Sequence, residues 1–515
     1  MHIRCWLAAI QIALLLVVLT ANPVASSDHN IVLFVTDDES PTLGCYGDPM
    51  AITPHADALA SDGVLFRNAW ATTASCSPSR SVILSGTYSH LNGMHGLQHN
   101  FHHFESFAAV GALSLPNVLG NHGYRTAQIG KYHVAPESAY HFETYLRANP
   151  RSTVEMAEAC RGFLTDPDDE RPFFLYFATS DPHRGGGKNQ SSNLELKPDM
   201  FGNKPNRESW PDVDEHFYDP AVVPVPPFLS DSRETREELA EYYQSCSRID
   251  QGLGRLVQIL KEHDLYDKTL IIFTSDHGMA FAGAKTTVYE AGLRVPLIVR
   301  NPYAPDRGRE TEELVSHVDL TPTILEFAGA LDPDTNAPRN LADTTSIRRS
   351  AQAGQPNRPR DNSGRKQNFS SYQGRSWLPV LLDPGSGHSE FVFASHTFHE
   401  VQMYYPMRAI RDQRYKLIWN IASPLEFPFA ADLWAASSWQ AQFAQGPEAD
   451  YGYRTVRSYL NRPEFELYDL QDDSHETSNL AADPAHQSLL ESMKARLRGM
   501  QDDLRDPWIR KWDHE

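Results

Sequence analysis

The sequence is poor in cysteine. Five are present in 515 residues, at positions 5, 45, 76, 160 and 246. Their spacing holds neither a disulfide framework nor a zinc-type Cys pattern. Basic residues are also scarce: 46 Lys and Arg stand against 66 Asp and Glu, a formal net charge of −20. That balance excludes a nucleic-acid binder and argues against docking on an anionic membrane. Beyond the first 26 residues no apolar run is long enough to span a bilayer. Internal repeats and collagen-like or coiled-coil compositions are absent too. What is abundant is histidine, with 22 copies, and proline, with 35. Apolar residues make up 41%, enough for a sizeable core and too many for global disorder. The length suits one large domain and a smaller one.

Residues 1–26 read as a cleaved signal peptide. Arg4 supplies the positive region, Leu7 to Leu19 the apolar run, and Ala25-Ser26 the small residues for cleavage. The mature chain is then exported: periplasmic or secreted, or lysosomal in a eukaryote, with no stable membrane insertion. Asn189-Gln190-Ser191 and Asn368-Phe369-Ser370 fit the glycosylation triplet, which matters only in a eukaryotic cell.

Short β-branched and aromatic runs end in polar clusters. Ile31–Val35 stops at Asp37-Asp38, and Thr269–Phe273 at Asp276-His277-Gly278. Phe173–Phe177 leads to Asp181-Pro182-His183, and Tyr124–Ile129 to Gly130-Lys131-Tyr132-His133. Val295–Val299 is a fifth run. Between them, Arg233–His263 carries apolar residues at helical spacing. Strands alternating with helices predict an α/β domain with a mostly parallel sheet sandwiched by helices. Ligands then sit beyond the carboxyl ends of the strands, where four runs release charged or imidazole groups. Phe391–Ala394, Met407–Ile410 and Tyr415–Trp419 predict an antiparallel sheet in a smaller C-terminal α+β domain, closed by a helix over 484–505. The division is a catalytic domain at 27–375, with a polar loop or insertion at 332–373, and a C-terminal domain at 376–515.

Asp37, Asp38, Asp276 and His277 together offer a hard, oxygen-rich cage for Ca²⁺, with Mg²⁺ as the alternative. Each pair alone fits a turn or a helix cap better than a metal site. The histidines at 90, 95, 99, 102 and 103 look like a zinc site by composition, but their spacing suits pocket lining better.

Cys76-Ser77-Pro78-Ser79-Arg80, with Ser85-Gly86 downstream, resembles the sulfatase signature. The likeness extends over nearly the whole mature chain. It includes the strand-end clusters and Phe465–Leu470 with Glu476 and Asn479-Leu480. Narrower segments resemble the N-sulfoglucosamine sulfohydrolases (heparan N-sulfatases). These are Asn92–Leu97, His102-His103-Phe104, Arg171–Tyr176, Asp250-Gln251-Gly252, His399-Glu400-Val401 and Tyr405–Arg408. His277 departs from the lysosomal member of that group, which has Asn there; both side chains can ligate a cation. The 332–373 segment also looks longer than in that enzyme.

The resemblance implies an alkaline-phosphatase-like fold and glycosaminoglycan-type sulfated saccharides as substrates. It implies that Cys76 is converted to formylglycine by a maturation enzyme and, with Asp37, Asp38, Asp276 and His277, faces the cation. Arg80 holds the nucleophile, Lys131 and Lys285 bind sulfate oxygens, and His133 and His183 transfer protons. Asp181, His399, Glu400 and Arg408 are candidates for reading the sugar. The expected reaction is hydrolysis of the N-sulfate of a terminal N-sulfoglucosamine in heparan-type chains. Alternatives are an O-sulfatase on another glycan or small ester, a phosphodiesterase or phosphonate hydrolase on the same scaffold, and a non-catalytic sugar-binding protein with unconverted Cys76. A homodimer is compatible with all of these.

Overall fold

The computed structural model describes residues 29–99, 103–185, 201–339 and 369–514. The signal-peptide reading, the Asn189 triplet, Asn368, His102 and most of 332–373 lie outside them. Nine strands build the main sheet: β1 (Asn30–Thr36), β2 (Val64–Trp70), β3 (Arg125–Gly130), β4 (Thr144–Leu146), β5 (Phe173–Ala178), β6 (Thr269–Ser275), β7 (Arg294–Val295), β8 (Leu297–Arg300) and β9 (Arg309–Ser316). Their order is β4-β3-β5-β1-β6-β8-β2-β7, with β9 beside β2.

The first five strands of that order run parallel. The 295–299 run, expected as one strand, is broken at Pro296, which has no N–H for the ladder. Its second piece, β8, runs antiparallel to β6. The sheet is therefore mixed at this side and parallel where the site forms. Successive β1 side chains face opposite layers. Val32 and Phe34 pack with Met156 and Ala157 of α3 (Thr153–Leu164) and Ile249 and Leu253 of α4 (Arg233–Glu262). Ile31, Leu33 and Val35 pack with Ile83 and Leu84 of α2 (Cys76–Ser85); α1 (Pro54–Ser61) adds Leu59 to the first layer. Burial on both faces explains why these strands read as unbroken apolar runs.

A second, antiparallel sheet joins β10 (Val392–Phe398), β11 (Tyr404–Arg411), β12 (Tyr415–Asn420) and β13 (Phe465–Asp469). One face, with Phe393, Ile410 and Leu417, is covered by Leu490, Met493 and Leu497 of α5 (Gln487–Asp503). The other face, with Ala394, Met407 and Ala409, joins the core of the main sheet. Buried polar groups tie the layers. Glu290 accepts from Arg411 (2.7 Å) and Lys416 (3.1 Å), and the Ser395 amide donates to the Thr72 carbonyl at 2.8 Å. The four described cysteines are all free thiols. No helix among the described residues is long and apolar enough to cross a membrane.

Candidate active site

Strand order assembles the site. β1 lies between β5 and β6, so Asp37-Asp38 emerge between the polar ends of both neighbours. The backbone locks this junction: the Asp37 amide donates to the Asp181 carbonyl (3.1 Å), and the Asp276 amide to the Thr36 carbonyl (3.0 Å). The Lys131 amide donates to the Ala178 carbonyl at 2.8 Å. Gly130 precedes it at φ 83°, where a Cβ would stand 2.0 Å from that same carbonyl oxygen, so only glycine fits. Helix α2 brings Cys76 in at its first turn, and every residue of the helix is buried. The positive end of the helix dipole thus lies at the thiol. Gly86 stops α2 in the left-handed conformation (φ 57°).

The thiol sits at the centre of the donor groups. Ligating atoms of Asp38, Cys76 and His277 lie within 4.8 Å of one another, and so do those of Asp37, Cys76 and Asp276. His277 Nδ1 lies 3.0 Å from the Gly278 carbonyl oxygen, which can only accept, so Nδ1 carries the proton. The other nitrogen, Nε2, faces Asp38 Oδ1 at 3.1 Å and Cys76 Sγ at 3.5 Å. Three carboxylates with one imidazole held by its second nitrogen fit a hard divalent cation.

Fixed cations surround this acidic floor. Arg80 forks onto Asp276 (Nε, 3.0 Å) and Asp37 (Nη2, 3.1 Å), and Nη1 donates to the Lys131 carbonyl and the Tyr176 hydroxyl. Lys131 Nζ reaches Asp37 at 2.5 Å, and Lys285 Nζ reaches Asp38 at 2.8 Å. Burial alone would push the Asp37 carboxyl up, but Lys131, His183 and Arg80 hold it well below the usual range. Asp276 goes the other way: burial outweighs Arg80 and raises it to about 6. Burial drives the Cys76 thiol well above its ordinary value, so the unmodified residue is a neutral thiol and a poor nucleophile.

His183 presents Nε2 to the pocket, 3.8 Å from Asp38 Oδ2, while Nδ1 bonds to the Arg184 carbonyl. Burial, then Lys285, lowers it to about 4. His133 is pushed well below its usual value by burial, Lys131 and Arg80, and its ring lies 4.9 Å from that of His99. The floor is sealed, with Asp37, Asp38, Asp276 and His277 all at 0% exposure. Side chains that reach solvent include Lys131 (15%), His183 (26%), Asp432 (17%) and the partly buried His133.

The candidate sugar readers fare differently. His399 is buried beside the site, with Nδ1 2.9 Å from the Ser75 hydroxyl. Glu400 is half-buried and bonds to Gln402. Two expectations need correction. Asp181 is fully buried and held by Arg151 (2.6 Å) and Arg248 (2.7 Å), so it braces the turn bearing His183. Arg408 is equally buried, forked onto Asp506 (2.5 and 2.9 Å) under the Trp508 ring. Both are at 0% exposure and bound within the fold, so neither is open to a sugar. Of the histidine group, His90 bonds to the Leu504 carbonyl and His95 lies against Trp508; neither is among the metal-holding groups. The residue that sequence reasoning missed is Asp432. Its Oδ2 accepts from Lys285 Nζ at 3.0 Å, and it groups with Asp38 and His183 within 4.8 Å.

Comparison with known proteins agrees with this geometry. A sulfatase family model matches residues 29–330. Human N-sulphoglucosamine sulphohydrolase is 36% identical over 493 residues, covering 93% of this chain and 91% of that protein. An ulvan-active sulfatase of Formosa agariphila is 27% identical, covering 91% and 79%. A solved structure in complex with its substrate D-glucosamine-2-N,6-O-disulfate shares the fold, with a TM-score of 0.61, 20% identity, and coverage of 93% of this chain and 99% of that one. Together with a thiol ringed by carboxylates, an imidazole and fixed cations at the ends of β1, β3, β5 and β6, these matches show that the chain belongs to the sulfatase family of hydrolases.

Proposed function

We propose that the enzyme removes the N-sulfate from terminal N-sulfoglucosamine of heparan-type saccharides. The observation that carries this choice of substrate is the 36% identity to human N-sulphoglucosamine sulphohydrolase along nearly the entire chain. The reading includes export after loss of residues 1–26, a catalytic part at 27–375 and a C-terminal part at 376–515. It also includes conversion of Cys76 to formylglycine by a maturation enzyme. Asp37, Asp38, Asp276 and His277 would hold Ca²⁺, with Mg²⁺ as the alternative. When present, the cation would supply charge neutralisation and the hydrated aldehyde the attacking hydroxyl.

The chain's own groups supply the rest. Lys131 and Lys285 bind sulfate oxygens and offset the negative charge that otherwise repels a nucleophile. Arg80, held on two carboxylates, fixes side chain 76 in line. As the S–N bond breaks, His183 Nε2 gives a proton to the leaving nitrogen, so an amine departs rather than an amide anion. The bound sulfamate's negative charge favours the protonated ring and opposes the lowering caused by burial and Lys285. His133 would accept the proton that side chain 76 must lose for sulfate to depart. His399, beside Ser75, and Glu400 stand as sugar contacts in this reading.

The test is sulfate release from N-sulfoglucosamine, O-sulfated hexosamines and an aryl sulfate. Release from the sulfamate is expected. An inert sulfamate beside an active O-sulfate would replace the reading with an O-sulfatase. Turnover of a phosphate diester alone would indicate a phosphodiesterase or phosphonate hydrolase, and an unconverted thiol with no turnover would indicate a sugar-binding protein.

A further inference from the structure

The pocket contains one carboxylate whose surroundings differ from the rest. Asp37, Asp38 and Asp276 are sealed in the floor at 0% exposure and spoken for by Arg80, Lys131, Lys285 and the donor cage. Asp432 comes from the short helix Ala431–Trp434, far along the chain, and keeps 17% of its side chain exposed at the mouth. Among the described residues its hydrogen-bond donor is Lys285, at Oδ2. The second oxygen, Oδ1, makes no such bond with them. Its ion pair with Lys285 at 3.0 Å favours the carboxylate form. Against the effect of burial, Lys285, His183 and His399 together hold it below the usual range.

An anion here is unexpected on sulfate-binding grounds alone. Lys131 and His183, which also reach solvent beside it, are suited to a negatively charged ligand. A bare carboxylate oxygen can only accept hydrogen bonds, and it repels sulfate oxygens. It therefore faces a part of the substrate other than the sulfate, within reach of His183, where the leaving atom must lie. In a sulfated sugar, the groups next to the leaving atom are ring hydroxyls. We propose that Asp432 is a specificity-determining residue: Oδ1 accepts a hydroxyl of the sugar beside the sulfated position, while Oδ2 holds Lys285. The assignment goes beyond the choice between N- and O-sulfate and needs only that the substrate be a sulfated sugar.

The rival role is purely internal, with Asp432 acting only through Lys285. Substrates separate the two. Asp432→Asn keeps the shape but loses charge, and Asp432→Ala removes both oxygens. Each is assayed on a sulfated sugar that the wild type turns over and on 4-nitrophenyl sulfate, which has no hydroxyl beside its sulfate. The sugar is N-sulfoglucosamine or, if that is inert, an O-sulfated hexosamine; the wild-type assay alone decides the substrate reading of the preceding section. A hydrogen bond to a charged group is worth a factor of about 10 to 100. Loosening Lys285 should cost both substrates alike; beyond that shared loss, both variants should lose about that much more kcat/KM on the sugar than on 4-nitrophenyl sulfate, mainly through KM. Equal losses on both substrates would overturn the proposal and leave Asp432 as a support for Lys285. Unchanged kcat/KM on both would remove it from the site altogether.

Discussion

Cys76 Sγ lies 3.5 Å from His277 Nε2, although 201 positions separate the two residues in the chain. The prospective nucleophile and the one imidazole of the donor cage are therefore neighbours before any chemistry begins. Conversion of Cys76 should leave a peptide about 18 Da lighter than the thiol form, read by intact mass of protein from a maturation-competent host. Cys76→Ala should bring turnover to background while the unfolding midpoint barely moves. Residual activity in that variant would place the nucleophile elsewhere.

Asp276 has two duties, holding Arg80 at 3.0 Å and facing the cage. Asp276→Asn should raise the divalent-cation concentration for half-maximal activity by about 10- to 100-fold. Activity should return in part at high Ca²⁺. A cation requirement unchanged from wild type would take Asp276 out of the donor set.

His183→Ala should cost most where the leaving group is poor. The expected loss is about 10²- to 10⁴-fold on the sulfamate and far smaller on an activated aryl sulfate, measured as kcat for each. Equal losses on the two would show that His183 is not the proton donor.

The strand ends were legible because buried parallel strands read as apolar runs and stop abruptly. Ile31–Val35 and Thr269–Phe273 both ended where the polar residues begin, and the register beside β5 and β6 brings those ends together. Charge partners across the fold were not legible. Arg408 and Asp181 looked like free polar groups because Asp506, Arg151 and Arg248 lie 98, 30 and 67 positions away. Asp432 follows no strand and no motif, and its link to Lys285 spans 147 positions. Pro296 was visible, but the reversal of β8 is a tertiary choice that local pattern does not encode.

The Arg408–Asp506 pair gives a pH signature. Burial would raise the Asp506 carboxyl, but Arg408 and its hydrogen bonds hold it well below the usual range. The folded pKa is depressed, so this stabilisation is complete above the unfolded value of about 3.9 and fades as pH falls through the folded one. Asp506→Asn strands a buried guanidinium and should cost about 3–5 kcal/mol at neutral pH, by denaturant titration. The gap between variant and wild type should shrink below about pH 3. A gap independent of pH would mean that charge contributes little to the latch.

Lys285 is clasped from two sides, by Asp38 at the end of β1 and by Asp432 from beyond the second sheet's third strand. A fragment ending at residue 375 would retain every group that meets sulfur. It would lose half of the grip on that lysine, the Asp432 carboxylate at the mouth and the cover that Ala394, Met407 and Ala409 give the core of the main sheet. With Asp432 in its proposed role, swapping the distal part between relatives would exchange substrate preference while leaving the sulfur chemistry in place.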